Sequence, residues 1–157
     1  WREKHFGSMY WVIRKGCTPA FPGQKGFIGA TMGEDSVIVE GVDSDLSRKA
    51  LFTTVHGAGR VMSRTKSAGR KKWIRGRDGI RKLKTISKGL VDFEEVKSKM
   101  SKRGIELRGG DADEAPECYK RLDEVLKCQG DTIRVIFRLR PVGIAMAAGE
   151  TYDPYKD

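Results

Sequence analysis

Apolar and polar positions change their period several times along this chain. At 36–41, SVIVEG sets three β-branched residues in a row before a glycine, the pattern of a buried strand. MYWVIR at 9–14 is apolar and β-branched in the same way and also predicts a strand. Between them lie Gly16, Pro19, Pro22, Gly23, Gly26, Gly29 and Gly33, so helix cannot persist and a loop with short extended pieces is expected. DSDLSRKALF opens on capping-type residues and predicts a short helix. TTV at 53–55 is extended again. A Gly-Ala-Gly turn follows, leading into a helix expected to begin near Arg60.

In the second half, VDFEEVKSKMSKR carries apolar residues at 91, 93, 96 and 100, near helical spacing, with Gly104 as the stop. IELRG is a short strand. EAPECYKRLDEVLKCQG is expected to be helical after Pro116, with Tyr119, Leu122, Val125 and Leu126 on one face. TIRVIFRLRPVGIAM reads as one long strand, with Ile133, Val135, Phe137 and Leu139 on one side and Arg134, Arg138 and Arg140 mostly on the other. No internal repeat is visible. Helices and strands interleave irregularly, so the expected class is α+β.

The chain has 157 residues, enough for one domain with a core of its own but not for two independent ones. It begins at Trp1 rather than Met, and it is expected to be a soluble piece of a longer protein. No signal peptide is visible, and no apolar run approaches the roughly 20 residues of a membrane span. Cys17, Cys118 and Cys128 form no C-x-x-C pair, which excludes a zinc knuckle and argues against a disulfide framework. They are expected to be packing residues in a reducing, cytoplasmic setting.

Charge changes the picture more. Thirty-one basic against 21 acidic residues give a net charge of +10, a balance that suits a polyanionic partner. From Arg60 to Lys88 the chain carries twelve Lys or Arg and one acid, Asp78. This tract is either a solvated basic loop or a surface that faces nucleic acid. Trp73 is its only aromatic residue, so a base-stacking platform is not supported and the charges suit backbone contacts.

The stretch TTVHGAGRVMSRT, 53–65, concentrates the candidate chemistry. A strand, a small-residue turn and a helix start together make an anion site, because glycines let a phosphate approach the backbone and the first helical N–H groups point at it. Arg60 and Arg64, spaced i and i+4, would share a helical face and clamp further phosphate oxygens. The stretch is neither a Walker motif nor a G-x-G-x-x-G fingerprint. On spacing alone His56 has three readings: structural, a phosphate hydrogen-bonder, or a nucleophile that forms a covalent phosphoramidate. His5 lacks such surroundings and is expected at the surface. A second loop, GFIGATMGEDS, precedes the SVIV strand. Thr31 and Ser36 offer hydroxyls there, and its glycines offer bare backbone to a base or ribose; the plainer reading is a tight connection.

Five ordered blocks resemble one family. HGAGRVMSRT at 56–65 is similar to the signature of the RtcB family of GTP-dependent RNA ligases. VIRKGC at 12–17, GATMGEDS at 29–36, DEAPECYKRLDEV at 113–125 and RLRPVGIAM near the end resemble its other segments, in the same order. The resemblance implies an RtcB-like fold, mixed strands and helices around a nucleotide-binding site, of which this chain would be the C-terminal portion. It implies joining of an RNA 3′-phosphate or 2′,3′-cyclic phosphate end to a 5′-hydroxyl end, as in tRNA splicing or RNA repair. GTP and Mn²⁺ are the implied cofactors, and no membrane partner is implied. His56 would be the nucleophile that takes GMP. Gly57, Ala58 and Gly59 would lie along the guanylate, with Gly29, Ala30, Thr31 and Met32 as the other guanylate loop and Ser36 near the base. Arg60 and Tyr119 would be phosphate-side and pocket residues.

The chain also departs from the family pattern. The family's manganese ligands, a cysteine and several histidines with nearby Asp and Asn, lie upstream of the stretch covered here, so no metal ligand is expected in this chain. Gly29 and Thr31 stand where Pro and Ser are usual. MAAGETYDPYKD replaces the closing Lys-Gly, whose lysine contacts guanine. A basic RNA-binding module without chemistry, and a remnant that needs another segment to fold, are the competing readings.

Overall fold

The computed structural model describes residues 1–77 and 79–148. Strands β1 (Arg2–His5), β2 (Ser8–Trp11), β3 (Cys17–Pro19), β4 (Lys25–Ile28) and β5 (Ser36–Gly41) lead to helix α1 (Asp45–Lys49) and β6 (Thr53–Val55). Helix α2 (Arg64–Ala68), β7 (Gly69–Arg75), β8 (Arg81–Lys88), α3 (Phe93–Lys102) and β9 (Glu106–Gly110) follow. Two single turns of 3-10 helix, Ala112–Glu114 and Pro116–Cys118, precede α4 (Leu122–Cys128), β10 (Ile133–Leu139) and β11 (Gly143–Ala148). The mixture is α+β, as the patterning predicts. Among the described residues no helix is long and apolar enough to cross a membrane. The chain forms two compact units: one from residues 1–59 and 120–140, the other from residues 60–119 and the segment from 141 on.

The first unit is built around a three-stranded antiparallel sheet in the order β10-β5-β4. SVIVEG forms the central strand as expected. Every second residue of it is buried, so Val37 and Val39 join Ile28, Ala58 and Leu122 in one apolar cluster. Gly41 ends the strand where no side chain fits, since a Cβ there would fall 2.2 Å from the Phe21 carbonyl oxygen. Helix α1 starts at Ser44, whose Oγ accepts the Ser47 N–H at 3.0 Å. MYWVIR is strand only as far as Trp11. It pairs with β1 through Phe6 and Gly7, both at positive φ, as the tightest hairpin turn requires.

Behind that hairpin lies a polar knot. Glu3 takes two bonds from the Arg14 guanidinium, at 2.6 and 2.9 Å, and one from His5 Nε2 at 2.9 Å. Arg14 also donates to Thr53 Oγ1 and the Leu51 carbonyl, each at 2.9 Å, and so ties the hairpin to the entry of β6. His5 is therefore not a surface residue. It is 5% exposed and stacks on Phe21, because the hairpin turns it inward where its ring finds both apolar faces and a carboxylate.

In the second unit α3 matches expectation. Asp92 Oδ1 accepts the Glu94 N–H at 3.0 Å, Val96 and Met100 are buried, and Gly104 follows at positive φ. Other expectations fail. The helix expected from Arg60 starts only at Arg64, because Ser63 Oγ accepts the Lys66 N–H and makes Ser63 the cap. The segment after Pro116 is not one helix: Tyr119 is extended and bridged to Arg60, so it does not share a face with Leu122. The closing strand is broken at 140–142. Its first part, β10, carries a bulge between Val135 and Phe137 that ends the alternation, and its second part, β11, pairs in parallel with β9. The basic tract is neither loop nor helix through its middle but an antiparallel ribbon, β7 with β8. Of the cysteines Cys118 is buried, Cys17 half-buried and Cys128 exposed, so Cys128 is no packing residue.

Candidate active site

His56 stands one residue beyond β6. The antiparallel register of β3 with β6 pairs Cys17 with Val55, so the next step sets Gly16 opposite His56. The imidazole lies over that glycine: a Cβ at Gly16 would sit 3.9 Å from His56 Nε2. Gly16 is also at φ +72, which L side chains rarely adopt. The His56 carbonyl accepts the Gly29 N–H at 3.3 Å, and Gly29 and Gly57 form a parallel bridge. Gly29 occupies the place of a proline in the family pattern, and a proline could not donate this bond. A Cβ at Gly57 would lie 3.3 Å from the Gly29 carbonyl oxygen, a tight approach, whereas one at Gly29 would meet only the Phe27 ring, at 3.6 Å. His56 is exposed, and among the described residues its ring makes no hydrogen bond or ion pair.

The sequence-predicted loop 29–36 thus reaches the His56 turn, through its backbone. Thr31 and Met32 are buried, and the Thr31 hydroxyl is turned toward the Met32 carbonyl at 3.4 Å. The hydroxyl expected from Thr31 is therefore spent inside the loop. Ser36 Oγ accepts the Ala30 N–H at 3.1 Å, which orders the loop and leaves the hydroxyl hydrogen to donate. Glu34 reaches out of the same loop. Its Oε2 accepts the Leu122 N–H at 3.4 Å, satisfying one of the open donors of α4, and its carboxylate pairs with Arg121. Gly59 has positive φ and open space where a Cβ would stand.

Arg60, Arg64 and Tyr119 lie in the second unit and come together there, but not as an i, i+4 pair on one helix. Arg60 precedes α2. Its Nη1 donates to Tyr119 Oη at 2.8 Å, its guanidinium lies 4.8 Å from the Tyr119 ring centre, and its Nε donates to the Met62 carbonyl. The hub is Glu114. It accepts the Tyr119 hydroxyl and lies 3.7 Å from Arg60 Nη1 and 3.5 Å from Arg64 Nη2, while Arg64 Nε lies 3.6 Å from Asp113. Burial, and then the Glu114 carboxylate beside it, push the Tyr119 phenol up to about 12. The two arginines converge on carboxylates of the protein itself, not through a shared helical face. Among the described residues, Arg60 Nη2 is buried without a hydrogen-bond partner.

Sequence reasoning gave no role to Glu3, Arg14, Gly16, Asp113 or Glu114. Arg14 and Gly16 stand in VIRKGC, and the two acids begin DEAPECYKRLDEV, so the signal was the blocks themselves. Among the described residues no three His, Cys, Asp or Glu side chains gather as a metal ion needs. The manganese implied by the resemblance finds no ligand set among them.

A family model described as "tRNA-splicing ligase RtcB" matches residues 1–147. The RNA-splicing ligase RtcB of Escherichia coli (strain K12) is 36% identical over 141 residues, covering 90% of this chain and 29% of that protein. RNA-splicing ligase RtcB of Mycobacterium tuberculosis (strain ATCC 25618 / H37Rv) is 34% identical over 151 residues, covering 84% of this chain and 30% of that protein. The chain thus spans about three tenths of the length of these relatives. With the match running through both compact units, this chain belongs to the RtcB family.

Proposed function

We propose that this chain is the C-terminal portion of an RtcB-like RNA ligase, and that His56 carries GMP during ligation. The observation that supports it most is the state of the imidazole. A structural histidine is buried and satisfied, as His5 is against Glu3. His56 is exposed, unpaired among the described residues, and set on glycine turns that leave backbone open beside it.

The chemistry needs a ring nitrogen with its lone pair free. That nitrogen attacks the α-phosphorus of GTP; a P–N bond forms, the bond to the bridging oxygen breaks, and pyrophosphate leaves. An oxygen of the RNA 3′-phosphate then attacks the same phosphorus and releases His56. The 5′-hydroxyl of the second end attacks the activated 3′-phosphate, its proton passes to a base or to water, and GMP departs. A 2′,3′-cyclic end is first opened by water to the 3′-phosphate.

Gly29, Ala30, Thr31 and Met32 serve this reading through their main chain, since the Thr31 and Met32 side chains are buried. Gly57, Ala58 and Gly59 follow the nucleophile, and Ser36 donates to the base. Phosphate oxygens compete with Glu114 for Arg60 and Arg64, and Tyr119 stays a neutral donor at physiological pH. Incubation with GTP and Mn²⁺, read by intact mass, tests the proposal. A GMP-sized adduct is expected on the parent chain and not on His56→Ala. An adduct that survives His56→Ala places the nucleophile elsewhere. No adduct on the parent, even when the chain stands within the full-length ligase, ends the enzyme reading in favour of a non-catalytic RNA-binding module.

A further inference from the structure

The ligase chemistry leaves the β7–β8 ribbon without a task. Its register pairs Lys71 with Thr85, Lys72 with Lys84, Trp73 with Leu83, Ile74 with Lys82 and Arg75 with Arg81. Alternation sorts these into two faces. One carries Lys71, Trp73, Arg75, Arg81, Leu83 and Thr85. Trp73 and Leu83 are half-buried and Lys71 pairs with Asp111, so the middle of this face lies against its own unit, while Arg75, Arg81 and Thr85 are exposed toward its ends. The other carries Lys72, Ile74, Lys82 and Lys84, all exposed. Lys72 and Lys84 face each other directly, and among the described residues neither has an ion-pair partner. Like charges directly opposite on a two-stranded ribbon weaken it. An anion lying across the pair would relieve that repulsion.

We infer that this open face is a docking surface for the phosphate backbone of double-stranded RNA. Side chains on one face recur about every 6.7 Å along a strand and stand about 4.8 Å apart across the ribbon, so the lysines form a narrow basic grid. The only aromatic ring of the ribbon, Trp73, is on the protected face, which removes the stacking that single strands require. Duplex RNA is recognised through its shape and its phosphates, which such a grid can meet. That the duplex is RNA rests on the ligase reading; that the face takes a polyanion rests on the ribbon alone.

The test is binding of the 157-residue chain to a labelled RNA duplex of about two turns, by fluorescence anisotropy across a salt series. Lys72→Gln/Lys84→Gln removes two phosphate contacts. The slope of log affinity against log salt should flatten by about 1.8, and affinity at 0.15 M salt should fall about 30-fold. Because the two lysines repel each other, the same variant should melt no lower than the parent, so lost binding is not lost fold. Lys97→Gln/Lys127→Gln, with the same change in net charge on exposed positions elsewhere, should bind as the parent does. Equal weakening by both pairs, no weakening by the ribbon pair, or parent binding as tight to single-stranded RNA or to duplex DNA would each overturn the inference. The GMP adduct, read on the same ribbon variant, should match the parent. It reports on the His56 reading independently of the binding result.

Discussion

Glu3→Gln should loosen the base on which the His56 strand rests, in a pH-dependent way. The Glu3 carboxylate takes both terminal nitrogens of Arg14 and the His5 ring, with the Glu3 and Arg14 side chains 12% and 5% exposed. The Arg14 hydrogen bonds hold the Glu3 carboxyl at about 2, against burial that works the other way. Removing one partner of such a pair leaves a guanidinium enclosed without its counter-charge, a loss of about 3–5 kcal/mol. Arg14 keeps its bonds to Thr53 Oγ1 and the Leu51 carbonyl, so a value near 3 kcal/mol is expected. The sign with pH follows from the lowered pKa. Stabilisation by Glu3 is complete above its unfolded value of 4.5 and is lost as pH falls from there toward 2. Urea unfolding followed by tryptophan fluorescence reads the effect, since Trp1 and Trp11 flank this hairpin. Parent and variant should differ at pH 7 and converge by pH 2. A difference under about 0.5 kcal/mol at pH 7, or equal acid sensitivity in the two, would refute the idea that the knot holds β6 in place.

Glu114→Gln should release Arg60 and Arg64 together. The Tyr119 phenol should then titrate below its value of about 12 while staying above 10, since burial remains its largest cause; ultraviolet titration against Tyr119→Phe measures this. Gly69→Ala should open the β7–β8 ribbon at its base. A Cβ there would lie 2.1 Å from the Ser87 carbonyl oxygen at φ +79, so a loss of about 3 kcal/mol or more is expected, with faster amide exchange in both strands.

What could be read in advance was local. Asp92, Val96, Met100 and Gly104 lie within one helix and its caps, so their spacing alone delimits α3. Ser36–Gly41 was equally legible, because three β-branched residues in sequence suit a strand whatever its neighbours. The ribbon was not legible. Lysine and arginine alternate there with few apolar residues, and its pairing depends on partners six to nineteen residues away rather than on propensity. The expected helix at Arg60 failed for a similar reason: the Arg60–Tyr119 bridge joins residues 59 positions apart, and Ser63 caps the helix only after it.

The two histidines show where the boundary lies. Residue types and their order were enough to place the chain in its family and to mark His56 and its glycines as candidates, because ordered blocks of particular residues survive as a linear signal. Which histidine would be buried was decided by tertiary structure. Folding of the first hairpin puts His5 between Phe21 and the Glu3 carboxylate, while the register of β3 with β6 leaves His56 over a glycine and in the open. The same holds for Glu114, which meets Arg60, Arg64 and Tyr119 only once the chain has folded. Burial and charge pairing are sums over neighbours distant in sequence, and those neighbours exist only in the folded molecule.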